Sequence, residues 1–98
     1  MTTRLEKAHL DAVADLGCHI CKKEGVGYVP CEIHHLRHGM GMSQRNDNFH
    51  VIGLCPRHHR TGGWGVAFHA GSREFQRQFG TETQLLEEVK ALLELREE

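Results

Sequence analysis

At 98 residues, with 39% apolar side chains and 11 glycines, the chain has room for one small domain whose core lies near the lower limit for unaided stability. No run approaches the ~20 apolar residues of a membrane span, and Met1 to Glu6 carries no export signal, so a soluble cytoplasmic protein is expected. The formal charge of -1 is unevenly spread: six arginines face two acids between Ile33 and Arg77, and six glutamates face Lys90 and Arg96 from Thr81 onward. The centre suits a polyanion and the tail a solvated acidic face.

Residues 3 to 16 place Leu5, Ala8, Ala12, Val13 and Leu16 at helical spacing, with Thr3 as N-cap and Gly17 as stop. This helix is expected to cover the core. Cys18 to Gly27 reads as a loop turned by Gly25 and Gly27, Tyr28 to Leu36 as a first strand, His38 to Asp47 as a polar loop, and Phe49 to Leu54 as a second strand. Pro56 suits a first helical turn, where its missing N–H would have no partner anyway, so a short helix to about Thr61 is expected. Gly62-Gly63-Trp64-Gly65 ends it, and Val66 to His69 is expected to be extended. Ser72 should cap a helix carrying Phe75 and Phe79, closed by Gly80. Thr81-Glu82-Thr83-Gln84 is a capping box for a last helix, with Leu85, Leu86, Val89, Leu92 and Leu93 as its apolar stripe. A single domain over residues 1–98 is expected, with a core of about 18–70 and carboxy-terminal helices of about 72–96.

The chemistry lies in four cysteines and nine histidines. Cys18-His19-Ile20-Cys21 and Cys55-Pro56-Arg57-His58 are paired knuckles with the spacing of a tetrahedral zinc site, which fits better than disulfides in a chain with no export signal. Cys31 is a fifth candidate that could replace one of these ligands, or serve as a small buried hydrophobe. If His58 holds structural zinc, the short helix should turn His59 toward the hairpin, where it can meet His34 or His35. Neighbours on a strand face opposite sides, so one of that pair could hold a metal while the other takes a proton from water.

Glu32-x-His34-His35, a loop, a strand ending in Leu54-Cys55, and His58-His59 together resemble the HNH endonuclease motif. The resemblance implies an α+β fold with a ββα-metal (His-Me finger) core, here with a zinc knuckle and flanked by helices at both ends. It narrows further. Ile33-His34-His35-Leu36, Val51 through His59, Val66-Ala67-Phe68-His69 and Phe75 through Glu82 resemble the phage RecA-dependent nucleases of the Ref family, over about Cys18 to Val89.

The resemblance implies that His34 and His59 are metal ligands and His35 the general base. Gly63 stands where many HNH enzymes have a second helical ligand, which makes His69 the substitute. Asn46, Asp47, Asn48 and His50 all lie near the middle position of the motif, usually Asn, which fixes the base or backbone; Asn48 is favoured. Glu32 is expected to orient a histidine from behind or to support substrate positioning. The implied reaction is hydrolysis of a DNA phosphodiester with a divalent ion, magnesium or manganese in activity, and zinc or nickel readily bound instead. Arg37, Arg45, Arg57 and Arg60 would neutralise phosphates without reading sequence. Trp64 could stack on a base or pack over the motif.

DNA is the expected partner, with a RecA filament or phage recombination proteins beside it in a bacterial host cytoplasm. Family members carry a long basic extension before the core, whereas a short helix precedes Cys18 here, which separates RecA coupling from cleavage as expectations. The competing class is a zinc-stabilised DNA-binding or protein-interaction module with no turnover. It accounts for Cys18, Cys21, Cys55 and His58 but leaves His34, His35, His59 and His69 without a role.

Overall fold

Thr3 starts the first helix as its sequence suggests. Its hydroxyl accepts the Glu6 amide while the Glu6 carboxylate accepts the Thr3 amide, and helix α1 runs from Arg4 to Leu16. Gly17, at φ 78, ends it in a conformation that favours glycine. The computed structural model describes residues 2–37 and 47–97, without the side chains of residues 96 and 97.

The expected loop after Gly17 contains a helical turn, α2 (His19–Lys23), because the Cys18 sulfur accepts the Cys21 amide and caps it. Strands β1 (Glu32–His35) and β2 (Val51–Leu54), both shorter than the sequence suggests, pair antiparallel with Glu32 opposite Leu54 and His35 opposite Val51. All four residues of β2 are buried, as its nearly unbroken apolar run requires. Residues 38–46 of the intervening loop, with Arg45 and Asn46 among them, lie outside the described residues.

After Pro56 the chain makes a π-helical turn, Arg57–Thr61, closed by the Gly62 amide on the Arg57 carbonyl. The stretch Val66 to His69, expected to be extended, is a turn leading into a 3-10 helix at Phe68–Ala70. Its apolar residues imitate a strand, but Gly63 and Gly65 at positive φ coil the chain first. Helix α3 spans Ser72–Phe79, and its N-cap is Gly71 rather than Ser72. Helix α4, Glu82–Glu97, opens on the expected box: the Gln84 amide donates to Thr81 Oγ1 and the Thr81 amide to Gln84 Oε1. Leu85, Leu86 and Val89 are buried, whereas Leu92 and Leu93 are half-buried near the helix end.

The architecture is therefore a small α+β arrangement with a two-stranded sheet among the described residues. Val13 of α1, Ile20 of α2, Ile52 and Leu54 of β2, Phe68, Phe75 of α3 and Leu85 of α4 meet in one core. Gly53 lets β2 approach the end of α1. A Cβ there would lie 2.6 Å from the Gly17 carbonyl oxygen and 2.6 Å from the Cys31 sulfur. Gly53→Ala should destabilise the protein by about 1–3 kcal/mol through overpacking, read as a lower thermal midpoint. An unchanged midpoint would show that the strand yields without cost.

Candidate functional site

Two clusters of metal-ligating side chains assemble around the hairpin. The first joins Cys18 and Cys21 from α2 and its cap with Cys55 and His58 from the end of β2 and the π turn, all four buried. His58 Nδ1 lies 3.6 Å from Cys18 Sγ, 3.6 Å from Cys21 Sγ and 3.2 Å from Cys55 Sγ, and Cys21 Sγ lies 3.8 Å from Cys55 Sγ. A tetrahedron with Zn–S near 2.3 Å and Zn–N near 2.0 Å has edges of about 3.8 Å between sulfurs and about 3.6 Å from sulfur to nitrogen. The donor set thus fits a structural metal such as zinc.

The far side of the His58 ring is held as well, with Nε2 3.3 Å from Glu24 Oε1. Burial, reinforced by the neighbouring thiols, pushes the Cys21 thiol up to about 12. The buried Cys21 sulfur would keep its proton unless a cation displaced it. Cys31 does not join this cluster; its sulfur approaches the Ala14 carbonyl oxygen, and burial pushes its thiol up to about 11.

Helical geometry separates adjacent His58 and His59, so His59 turns to the other side and meets His34 from β1 and His69 from the 3-10 helix. Their ligand atoms lie within 4.8 Å of one another. Each of the first two rings is anchored behind. His59 Nδ1 donates to Glu32 Oε1 at 2.8 Å, and His34 Nε2 donates to Glu82 Oε2 at 2.9 Å. The Glu32 carboxyl is lowered to about 2 by the Arg60 guanidinium and then by His59. An ionised Glu32 only accepts, so neutral His59 keeps its lone pair on Nε2, which faces His69 Nε2 at 3.1 Å. A neutral His69 can donate from its own Nε2 to that lone pair, and a cation could take the place of that hydrogen. Burial, then the charges of neighbouring His59 and His34, lowers the His69 pKa and favours its neutral ring. His34, His59 and His69 could therefore hold a metal ion.

His35 stands apart from both clusters. It and His34 border one cleft of about 170 Å³, lined also by Ile33, Arg37, His59 and His69. The His35 ring meets Asn48 Oδ1 through Nε2 at 2.9 Å, and Asn48 Nδ2 donates to Glu6 Oε2 at 2.8 Å. Of the other candidates for the middle position, Asp47 and His50 pair with each other at 2.7 Å.

The arginines divide. Arg37 lines the cleft and its amide donates to Glu82, while Arg57 is exposed with Nη1 3.5 Å from His58 Nε2. Arg60 forks both Glu32 oxygens at 2.8 to 3.1 Å, because the π turn brings it over the first residue of β1. Trp64 is 72% exposed, its indole edge against Gly71, where a Cβ would come within 2.7 Å of Cδ1.

Sequence reasoning missed Glu82, Glu24 and Glu6. Glu82 was visible only as an interior residue of a capping box. Its burial to 3% exposure, taking both His34 and the Arg37 amide, depends on how α4 docks.

Burial lowers the pKa of His34 and His58 below the ordinary 6.5. A buried ring of this kind stays neutral in the fold while the unfolded chain takes up a proton near 6.5. The unfolded state therefore binds more protons between the lowered pKa and 6.5, and stability is lost as pH falls through that window. The thermal midpoint should drop on passing from neutral to mildly acid buffer; an unchanged midpoint would contradict the burial of neutral rings.

Over residues 2–94 the chain matches the family described as recombination enhancement, RecA-dependent nuclease. No curated protein matches it. No helix among the described residues is long and apolar enough to cross a membrane.

Proposed function

Since this chain belongs to the RecA-dependent nucleases of recombination enhancement, we propose that it is a metal-dependent DNA endonuclease of the HNH type. The observation that carries this reading is the cleft in which His35 stands beside His34, His59 and His69, while a separate Cys3His cluster accounts for the fold. A hairpin followed at once by a helical turn, with ligands from both, supports a ββα-metal core. We read residues 1–98 as one nuclease domain.

In this reading Cys18, Cys21, Cys55 and His58 hold structural zinc, and His34, His59 and His69 hold a catalytic divalent ion, magnesium or manganese in activity, with zinc or nickel able to bind. That ion, when bound, supplies Lewis-acid stabilisation of charge on the phosphate and on the departing 3′ oxygen. The side chains do the rest. His35 takes a proton from water as its oxygen bonds to phosphorus and the P–O3′ bond breaks, and the departing 3′ oxygen takes a proton from solvent, leaving a 5′ phosphate and a 3′ hydroxyl. Asn48 positions His35, and Glu32, held by Arg60, positions His59. Arg37 at the cleft and exposed Arg57 and Arg60 are the phosphate contacts in this reading, with Arg45 a further candidate.

DNA is then the substrate, and a RecA filament or phage recombination proteins are the partners in a bacterial host cytoplasm, for a chain of phage or prophage origin. Cleavage of single-stranded, duplex and RecA-coated DNA, each with and without magnesium or manganese, tests it. Metal-dependent cuts that increase on RecA-coated DNA are expected. Binding without cuts on every substrate would instead indicate a zinc-stabilised binding module.

A further inference from the structure

We propose that Glu6, acting through Asn48, sets which ring nitrogen of His35 carries the hydrogen, leaving Nδ1 as the proton-accepting atom. The inference deepens the nuclease reading and rests on His35 as its base. It gives helix α1, otherwise a cover for the core, a positioning role in the reaction.

Asn48 can offer either end of its amide to a neighbour, and its other partner decides which. Here that partner is a carboxylate: Glu6 Oε2 lies 2.8 Å from Asn48 Nδ2. An ionised carboxylate only accepts, so the NH2 must face Glu6 and Oδ1 must face His35. At 2.9 Å from that oxygen, His35 Nε2 must be the donor. In the neutral ring the lone pair then resides on Nδ1.

Glu6 is well placed to impose this polarity. One oxygen accepts the Thr3 amide at 3.0 Å while the other serves Asn48, and the Glu6 amide returns a bond to Thr3 Oγ1 at 3.1 Å. The Thr3 amide first, and Asn48 next, hold its carboxyl below the usual range, so it stays ionised at neutral pH. The simpler alternative is that Glu6 only completes the capping box. Glu6→Gln separates the two roles, since glutamine also serves in that box but can donate as well as accept, which frees the Asn48 amide to turn over.

The direct readout is long-range proton–nitrogen NMR of the ring nitrogens in the zinc-loaded chain at neutral pH, with the His35 signals assigned by their loss in His35→Ala. The parent should show His35 protonated at Nε2 and bare at Nδ1. Glu6→Gln should show a mixture of tautomers, with kcat on DNA reduced roughly two- to tenfold and KM unchanged, in proportion to the wrong tautomer. Adding Asn48→Asp to Glu6→Gln restores an acceptor toward His35 and a donor behind it, and should return the parent ring spectrum. Thr3→Ala should lower the thermal midpoint and leave the His35 signals in place. A parent-like ring spectrum in Glu6→Gln, or a parent protonated at Nδ1, overturns the proposal. If the spectra behave as expected while His35→Ala still cleaves DNA, the tautomer assignment stands and the role of His35 as base fails.

Discussion

Stripping metal from the Cys18, Cys21, Cys55 and His58 cluster is expected to unfold this protein outright. A strong chelator should abolish the cooperative thermal transition, and Cys21→Ser should do the same without chelator. The chain is 98 residues long, and its core brings together short elements, including a five-residue α2 and strands of four residues each. A fold of this size commonly has ~5–15 kcal/mol of net stability, while a structural zinc ion contributes ~10–16 kcal/mol in small zinc domains. The two ranges overlap, so losing the second removes most or all of the first. The thiols sharpen this dependence. With Cys21 pushed up to about 12 by burial and then by its thiol neighbours, its sulfur would keep a proton in the metal-free cluster, packed 3.8 Å from the Cys55 sulfur and 3.6 Å from His58 Nδ1. Circular dichroism across a chelator titration, paired with zinc content per chain, checks it. A chelated chain that still melts cooperatively within a few degrees of the parent would mean that the apolar core suffices and the cluster is dispensable.

How much of this arrangement the chain announces depends on whether a contact is local. Cys18 and Cys21, or Cys55 and His58, are three residues apart, so one turn of backbone carries each pair to a common point and spacing alone suggests them. Thr3 with Glu6 and Thr81 with Gln84 are legible for the same reason. The split between His58 and His59 follows from adjacency on a helical turn.

What escapes is which carboxylate stands behind which ring or amide. Glu82 reaches His34 across 48 residues, Glu32 reaches His59 across 27, and Glu6 reaches Asn48 across 42. Those pairings depend on how α1 and α4 dock on the sheet and on the hairpin register, which no local period encodes. Glu32 was visible as a partner for some histidine, but Arg60 was not visible as its clamp. The turn at Val66 to His69 was misread because Val-Ala-Phe-His suits a buried strand as well as a buried coil. Only the positive φ at Gly63 and Gly65 distinguishes the two.

His35→Ala should reduce DNA cleavage by about 10²- to 10⁴-fold, the usual contribution of a positioned general base, and leave fold and metal content intact. Both halves follow from position. His35 is half-buried at the last residue of β1, belongs to neither metal cluster, and its described ring partner is Asn48. Its loss therefore creates no unpaired buried charge and removes no metal ligand. His59→Ala is the contrasting variant. It takes one of three candidate ligands and leaves the Glu32 carboxylate to Arg60 alone, so cleavage should fall together with the affinity for the divalent ion proposed there. If His35 served only as packing beside the cleft, its alanine variant would cut DNA at nearly the parent rate and melt earlier. Single-turnover cleavage rates, thermal midpoints and metal content on the same preparations distinguish the two. A loss of rate with unchanged midpoint and unchanged metal assigns chemistry to His35; an equal loss in rate and metal content would transfer its role to the ligand set.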